Sequence, residues 1–227
     1  MKDFLFAKSW FDSKYAKPGH RRHATMKAAL NLFLQNGGSN IVETGCCRLP
    51  DDWGAGLSTV MFGDFCKKYT KRLYTVDLSP ENMAICRGLT KEYNGFIDYH
   101  VEDSVSFLKR FDQTIDLLYL DSYDYPYGEL LEIYGGKTDI DRAIIILDNM
   151  SDEDIVSRHG SVIAASQEHC FKELMAALPH LSDKAPIIID DCMLPGGGKG
   201  RTAKEWLLDN NYTCILDLYQ TLWVKNL

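Results

Sequence analysis

Apolar and polar positions along the chain alternate between two rhythms, short β-rich runs and longer helix-forming ones. Ala24–Leu34 sets Met26, Ala28, Ala29, Leu30, Leu32 and Phe33 among good helix formers, then stops at Asn36-Gly37-Gly38, a helix-terminating signal. Asn40–Thr44 reads as a strand with Glu43 near its end. After a loop holding Asp51-Asp52-Trp53-Gly54-Ala55-Gly56, the pattern predicts a helix over Leu57–Tyr69, a strand over Leu73–Asp77 and a helix over Pro80–Asn94. A third strand follows at Phe96–Val101, a short helix near Ser104–Phe111, and a fourth strand at Ile115–Leu120 running into Asp121.

From Ser122 to Ser166 the rhythm breaks for about 45 residues, more than a connection needs. Tyr123, Tyr125, Tyr127 and Tyr134 cluster at its start, and Asp139–Leu147 has helical character. An insert of this kind is either a lid or an oligomer contact. Ser166–Leu178 then reads as an amphipathic helix, Pro186–Ile189 as a fifth strand ending in Asp190-Asp191, and Arg201–Asp209 as a helix. Thr213–Leu218 and Thr221–Val224 are separated by almost nothing and predict an antiparallel hairpin. Strands alternating with helices predict a parallel α/β sheet, and the closing hairpin departs from the strand plan of a nucleotide dehydrogenase.

Composition narrows the functional classes. Across 227 residues, 25 Lys plus Arg stand against 32 Asp plus Glu, a formal charge of −7, which argues against nucleic acid as the main partner. Seven cysteines, odd in number and without metal-finger spacing, read as buried thiols in a reducing compartment. No apolar run approaches the roughly 18 residues that span a bilayer. Met1–Trp10 carries Lys2, Asp3 and Lys8 and lacks a signal-peptide core. A cytoplasmic protein of one domain, residues 1–227, is expected, with a covering segment at 1–23 and an insert at about 122–166.

Ligands of an open α/β sheet bind outside the carboxyl ends of its strands. Those ends carry Glu43 and Gly45, Asp77, Glu102-Asp103, Asp121 and Asp190-Asp191, so every predicted parallel strand terminates in carboxylate. Such a rim suits a ligand with a cation and a ribose rather than a polyphosphate. Asp77 is placed for a ribose diol, Asp103 with Ser104 for an exocyclic amine and a helix cap, and Glu43 for an ammonium or sulfonium group.

Val42-Glu43-Thr44-Gly45, Val76-Asp77, Glu102-Asp103-Ser104, Leu120-Asp121 and the terminal hairpin resemble the class I S-adenosylmethionine-dependent methyltransferases, over about residues 24 to 227. The resemblance implies a Rossmann-like seven-stranded sheet of order 3-2-1-4-5-7-6, strand 7 antiparallel, with helices on both faces. It implies cofactor contacts from Glu43 and Gly45 (methionine portion), Asp77 (ribose) and Asp103 with Ser104 (adenine side), and further from Thr44, Leu78 and Asp121. The first motif departs from the family's Glu-x-Gly-x-Gly-x-Gly, because after Gly45 the chain reads Cys46-Cys47-Arg48-Leu49. Asp121 with Asp190 and Asp191 also resembles the metal site of macrocin-type sugar O-methyltransferases. Three hard carboxylates suit Mg²⁺ or Mn²⁺, and coordination acidifies a sugar hydroxyl. Capping of loops by the same carboxylates is the alternative.

His169, in Ser166-Gln167-Glu168-His169, is the preferred general base by its ordinary pKa, the alternative being a helix-start histidine packed against an aromatic, and Asp191 takes the base role if no metal binds. The expected reaction is methyl transfer to a hydroxyl of a sugar, glycan or other small molecule, with the tyrosine-rich insert helping to form the acceptor pocket. A catechol- or phenol-type O-methyltransferase, a dinucleotide-binding oxidoreductase and a non-catalytic cofactor binder are the rivals. The insert is compatible with a homodimer, and association with a glycosyltransferase is a further partner option.

Several patterns carry less. The basic run Pro18-Gly19-His20-Arg21-Arg22-His23 is either a segment meeting an anionic substrate or an exposed turn. Lys67-Lys68 and Lys71-Arg72 complement a helix dipole. Gly196-Gly197-Gly198-Lys199-Gly200-Arg201 lacks P-loop spacing and reads as a flexible loop bordering the substrate pocket, and Gly54-x-Gly56 is half a dinucleotide fingerprint. Adjacent Cys46 and Cys47 give little support to a redox role.

Overall fold

The computed structural model describes residues 10–51, 53, 57–136 and 138–226. The start of the covering segment (1–9), Asp52 and the Gly54-x-Gly56 element lie outside them. The strands are β1 Asn40–Thr44, β2 Arg72–Asp77, β3 Ile97–Val101, β4 Leu117–Leu120, β5 Ile187–Ile189, β6 Tyr212–Asp217 and β7 Thr221–Lys225. The helices are α1 His23–Gln35, α2 Ser58–Tyr69, α3 Pro80–Leu89, α4 Ser104–Arg110, α5 Tyr127–Gly135, α6 Ile140–Asp148, α7 Asp152–Ala177 and α8 Arg201–Asp209.

The seven strands form one sheet in the order β3-β2-β1-β4-β5-β7-β6. β1 to β5 pair in parallel, and β7 runs antiparallel to both of its neighbours. This is the Rossmann-like order of class I methyltransferases. It arises because the β6–β7 hairpin inserts its second strand beside β5, in register from Ile187↔Trp223 to Ile189↔Thr221. β4 (LLYL) and β5 (III) are near-continuous apolar runs because both faces are covered. Period-two alternation sends Leu118 and Leu120 of β4 into one core layer beneath α4, α7 and α8, and Leu117 and Tyr119 into the other beneath α1 and α2. Residues 10–15 are helical, and Phe11 and Tyr15 join that second layer. Tyr15 donates its hydroxyl to Asp64 at 2.6 Å.

Two predicted elements are divided or extended. The helix expected over Pro80–Asn94 ends at Leu89, where the Thr90 hydroxyl donates to the Cys86 carbonyl at 2.6 Å, and a 3₁₀ turn over Lys91–Phe96 follows. The helix expected to open at Ser166 begins at Asp152. Ser151 caps it by accepting from the Asp154 amide at 3.1 Å, and Asp152, Glu153 and Asp154 face the positive end of its dipole. The insert is therefore α5, α6 and the first half of α7, closed over its own core of Tyr125, Leu130, Leu147, Ile155 and Ile163.

Candidate functional site

A cleft of about 640 Å³ opens at the carboxyl ends of β1, β2, β4 and β5. Its first wall is the turn after β1. Gly45 has φ +81° and donates its amide to the Val76 carbonyl at 2.8 Å. A Cβ there would stand 2.5 Å from the Asp121 carbonyl oxygen, so only glycine lets the β1 and β4 loops meet. On the second wall, Asp77 accepts from the Ser79 amide (2.8 Å) and from Asn82 Nδ2 (3.3 Å), with the Cys46 thiol 3.4 Å from its Oδ2. Leu78 stands exposed at the rim. Asp103 caps α4 by accepting from the Ser106 amide at 2.8 Å, as its position before Ser104 predicts. Across the mouth, Arg48 makes a two-point ion pair with Asp124 at 2.8 and 2.9 Å.

Asp121 and Asp191 line the cleft, with Asp190 fully buried beneath. The three carboxylates converge, and two cations of the chain lie among them. Lys199 Nζ pairs with Asp121 Oδ1 and stands 3.3 Å from Asp191 Oδ2. Arg22 reaches Asp190 through Nε (2.7 Å) and Asp191 through a terminal nitrogen (3.2 Å). Tyr119 donates to Asp190 at 2.7 Å and Tyr219 to Asp191 at 2.7 Å. Burial and the neighbouring Asp190 charge push the Asp121 carboxyl up. Burial also opposes the Asp190 charge, yet Arg22 and Lys199 outweigh it and hold that carboxyl below its ordinary range.

This arrangement does not fit the Mg²⁺ or Mn²⁺ expected from the sequence. A hard cation needs carboxylate oxygens turned to a common centre, and here ammonium and guanidinium groups already meet them. Among the described residues, no group of three or more His, Cys, Asp or Glu side chains is disposed to hold a metal ion.

Other expected residues fall elsewhere. Glu43 does not reach the cleft. It is fully buried on the face of β1 that it shares with Thr75, whose hydroxyl donates to Glu43 Oε2 at 2.9 Å. Thr44 is also buried, and its Oγ1 accepts from the Asp121 amide at 3.2 Å. Neither lines the cleft: Thr44 holds the loop after β4, and Glu43 pairs across to β2. His169 lines the cleft but meets Ser104 Oγ at 3.1 Å and Glu173 at 3.6 Å, with no hydrogen bond to the carboxylate cluster. Its imidazole is raised above its ordinary pKa, first by Glu173. Sequence reasoning did not single out Glu173 or Tyr219, and it named Arg22 and Lys199 only within the basic run and the glycine-rich loop. The i,i+4 spacing of His169 and Glu173 was a legible signal, whereas the other three meet the cluster from distant segments.

Burial raises the Glu43 carboxyl to about 7, against hydrogen bonds from Ser58, Thr59 and Thr75. The folded state then binds this proton more tightly than the unfolded state. The associated stability is complete below about pH 4.5, is lost as the pH rises to about 7, and changes no further above it. Glu43→Gln should therefore exceed the wild type by up to about 3 kcal/mol in urea melts at pH 8, with the gap closing towards pH 4.5. A gap independent of pH contradicts this account.

Residues 53–134 match a family model described as a methyltransferase domain, a span that includes Asp77, Asp103, Ser104 and Asp121. The chain is an S-adenosylmethionine-dependent methyltransferase. Solved structures similar to this methyltransferase include CalS11, a TDP-rhamnose 3'-O-methyltransferase of calicheamicin biosynthesis. Identity to it is 13% over 89% of this chain and 77% of that one, with a TM-score of 0.54. The O-methyltransferase NovP is similar at 13% identity over 91% of this chain and 80% of that one, also with a TM-score of 0.54. At such identities the likeness speaks for the fold. No curated protein matches the methyltransferase sequence. Among the described residues, no helix of the methyltransferase is long and apolar enough to cross a membrane.

Proposed function

We propose that this methyltransferase acts on a hydroxyl of a sugar or glycan. The observation that carries the reading is the division of one cleft into two poles. Asp77, Asp103 and Ser104 form a pole suited to adenosine, and Asp121 with Asp191 forms a pole where a hydroxyl can give up a proton. S-adenosylmethionine supplies a methyl group activated on a sulfonium. The Gly45 turn brings backbone to the cleft, and Asp77 accepts hydrogen bonds from the ribose diol. His169, standing on Ser104, belongs to the adenosine pole, so proton removal falls to Asp191. Tyr123 and Tyr219 place aromatic faces beside these polar groups, an environment suited to a sugar ring. CalS11, whose substrate is a nucleotide sugar, shares the fold.

Calorimetry with S-adenosylhomocysteine and transfer of labelled methyl to a panel of nucleotide sugars, glycosides and catechols test this proposal. Asp77→Ala should weaken S-adenosylhomocysteine roughly 10- to 100-fold, the worth of hydrogen bonds to a charged group. Unchanged affinity removes Asp77 from the ribose site. Labelling of catechols in preference to sugars replaces the sugar reading with the phenol-type one.

A further inference from the structure

Lys199 is a buried charged group that the proposed chemistry leaves without a part. Its side chain is 2% exposed, yet it carries a full charge between Asp121 and Asp191. The backbone around it is built to deliver that ammonium. Gly198 has φ +61°, and a Cβ there would lie 1.7 Å from the Asp191 carbonyl oxygen, so the loop passes directly against the β5 turn. Gln167 Nε2 fixes the loop from α7, donating to the Gly196 carbonyl at 3.2 Å and the Gly198 carbonyl at 3.0 Å. Asp191 has φ +54°, a conformation uncommon outside glycine, and its amide donates to Asp190 Oδ1 at 2.8 Å.

The cluster's oxygens each face a donor of the chain. Asp121 Oδ1 takes Lys199, and its Oδ2 stands 3.1 Å from the Tyr119 hydroxyl, which donates at the shorter distance to Asp190. Asp190 Oδ1 takes the Asp191 amide and its Oδ2 takes Arg22. Asp191 Oδ1 takes Tyr219 and Arg22, and its Oδ2 faces Lys199. Three carboxylates with one Lys and one Arg sum to −1, since 2 − 3 = −1. Three carboxylates around a divalent ion give the same charge.

We propose that Lys199 and Arg22 stand in the place of a divalent cation, and that the site works without a metal. The inference rests on reading this cleft as the methyl-transfer site. Lys199 is a positioning residue. Its ammonium sets the spacing of Asp121 and Asp191 and neutralises one of them, so that the acceptor hydroxyl meets a carboxylate held by fixed charges.

The test is a Mn²⁺ titration of the full chain followed by electron paramagnetic resonance, with thermal shifts in Mg²⁺ and Mn²⁺. The wild type should take up no Mn²⁺ and show no shift, and methyl transfer should survive EDTA unchanged. Lys199→Ala should acquire one Mn²⁺ per chain with a Kd below about 1 mM, within the range of weak carboxylate sites. That ion should raise the variant's Tm, an outcome a merely structural lysine does not produce. If Lys199→Ala does not fold, the wild-type titration decides alone. Binding of one Mn²⁺ to the wild type, abolished by Asp191→Asn, overturns the proposal, as does a folded Lys199→Ala that takes up no ion. Failure to bind S-adenosylhomocysteine counts against the function proposed above, whatever the titration shows.

Discussion

Asp191→Asn is expected to lower kcat by about 10²- to 10⁴-fold, the usual contribution of a positioned general base. The amide keeps the shape of the carboxylate and its place beside Tyr219 and Lys199, but it cannot take a proton from the acceptor. Affinity for S-adenosylhomocysteine should change little, because Asp77, Asp103 and Ser104 lie on other strand ends. His169→Asn gives the contrast. Its partners are Ser104 and Glu173, so its loss should raise KM for S-adenosylmethionine and leave most of kcat. The opposite pattern, kcat lost with His169 and kept with Asp191, moves the base to the imidazole. Because Glu173 raises that imidazole above its ordinary pKa, rates would then fall as pH drops below a point above 6.5, and Glu173→Gln would move that limb down.

Arg22→Met should cost about 3–5 kcal/mol of stability, the penalty for stranding one member of a buried ion pair. The Arg22 side chain is 6% exposed and Asp190 has no exposure, so Asp190 is left with Tyr119 and the Asp191 amide to satisfy a full charge. For a chain of this size such a loss lowers Tm by roughly 10 °C. Arg22→Met combined with Asp190→Asn should recover most of it, because the cost lies in the uncompensated charge rather than in the absent contact. A double variant no more stable than the single one places the effect in packing, for instance of Arg22 against the Tyr219 ring at 4.7 Å. Denaturant melts of the wild type, the single variant and the double variant decide between the two.

Elements with a strong rhythm and clear ends were legible in the sequence. Asn40–Thr44 and Arg201–Asp209 fall where the pattern puts them, because their boundaries are written locally in turn residues and in a single apolar face. The carboxylates at Asp77, Asp103, Asp121 and Asp191 reach one cleft because parallel strands must deliver their carboxyl ends to one edge. Less legible was the start of α7. The stretch from Asp152 is polar on most sides, and its helix is held by the Ser151 cap and by Ile155 and Ile163 in the insert's core. Glu43 stands at the expected strand end but is buried away from the cleft, since a strand covered on both faces offers no polar alternation to tell its two sides apart.

The sequence by itself thus determined the α/β architecture, the resemblance to class I methyltransferases and the acidic rim, all of which follow from local periodicity and strand ends. Only the tertiary structure decided what neutralises that rim. Arg22 lies 168 residues before Asp190, and Lys199 lies 78 residues after Asp121, in a glycine run that reads locally as a flexible loop. Charge pairing depends on distance in space, falling off within a few ångströms once water intervenes, and no local pattern records which distant cation the fold will bring within reach.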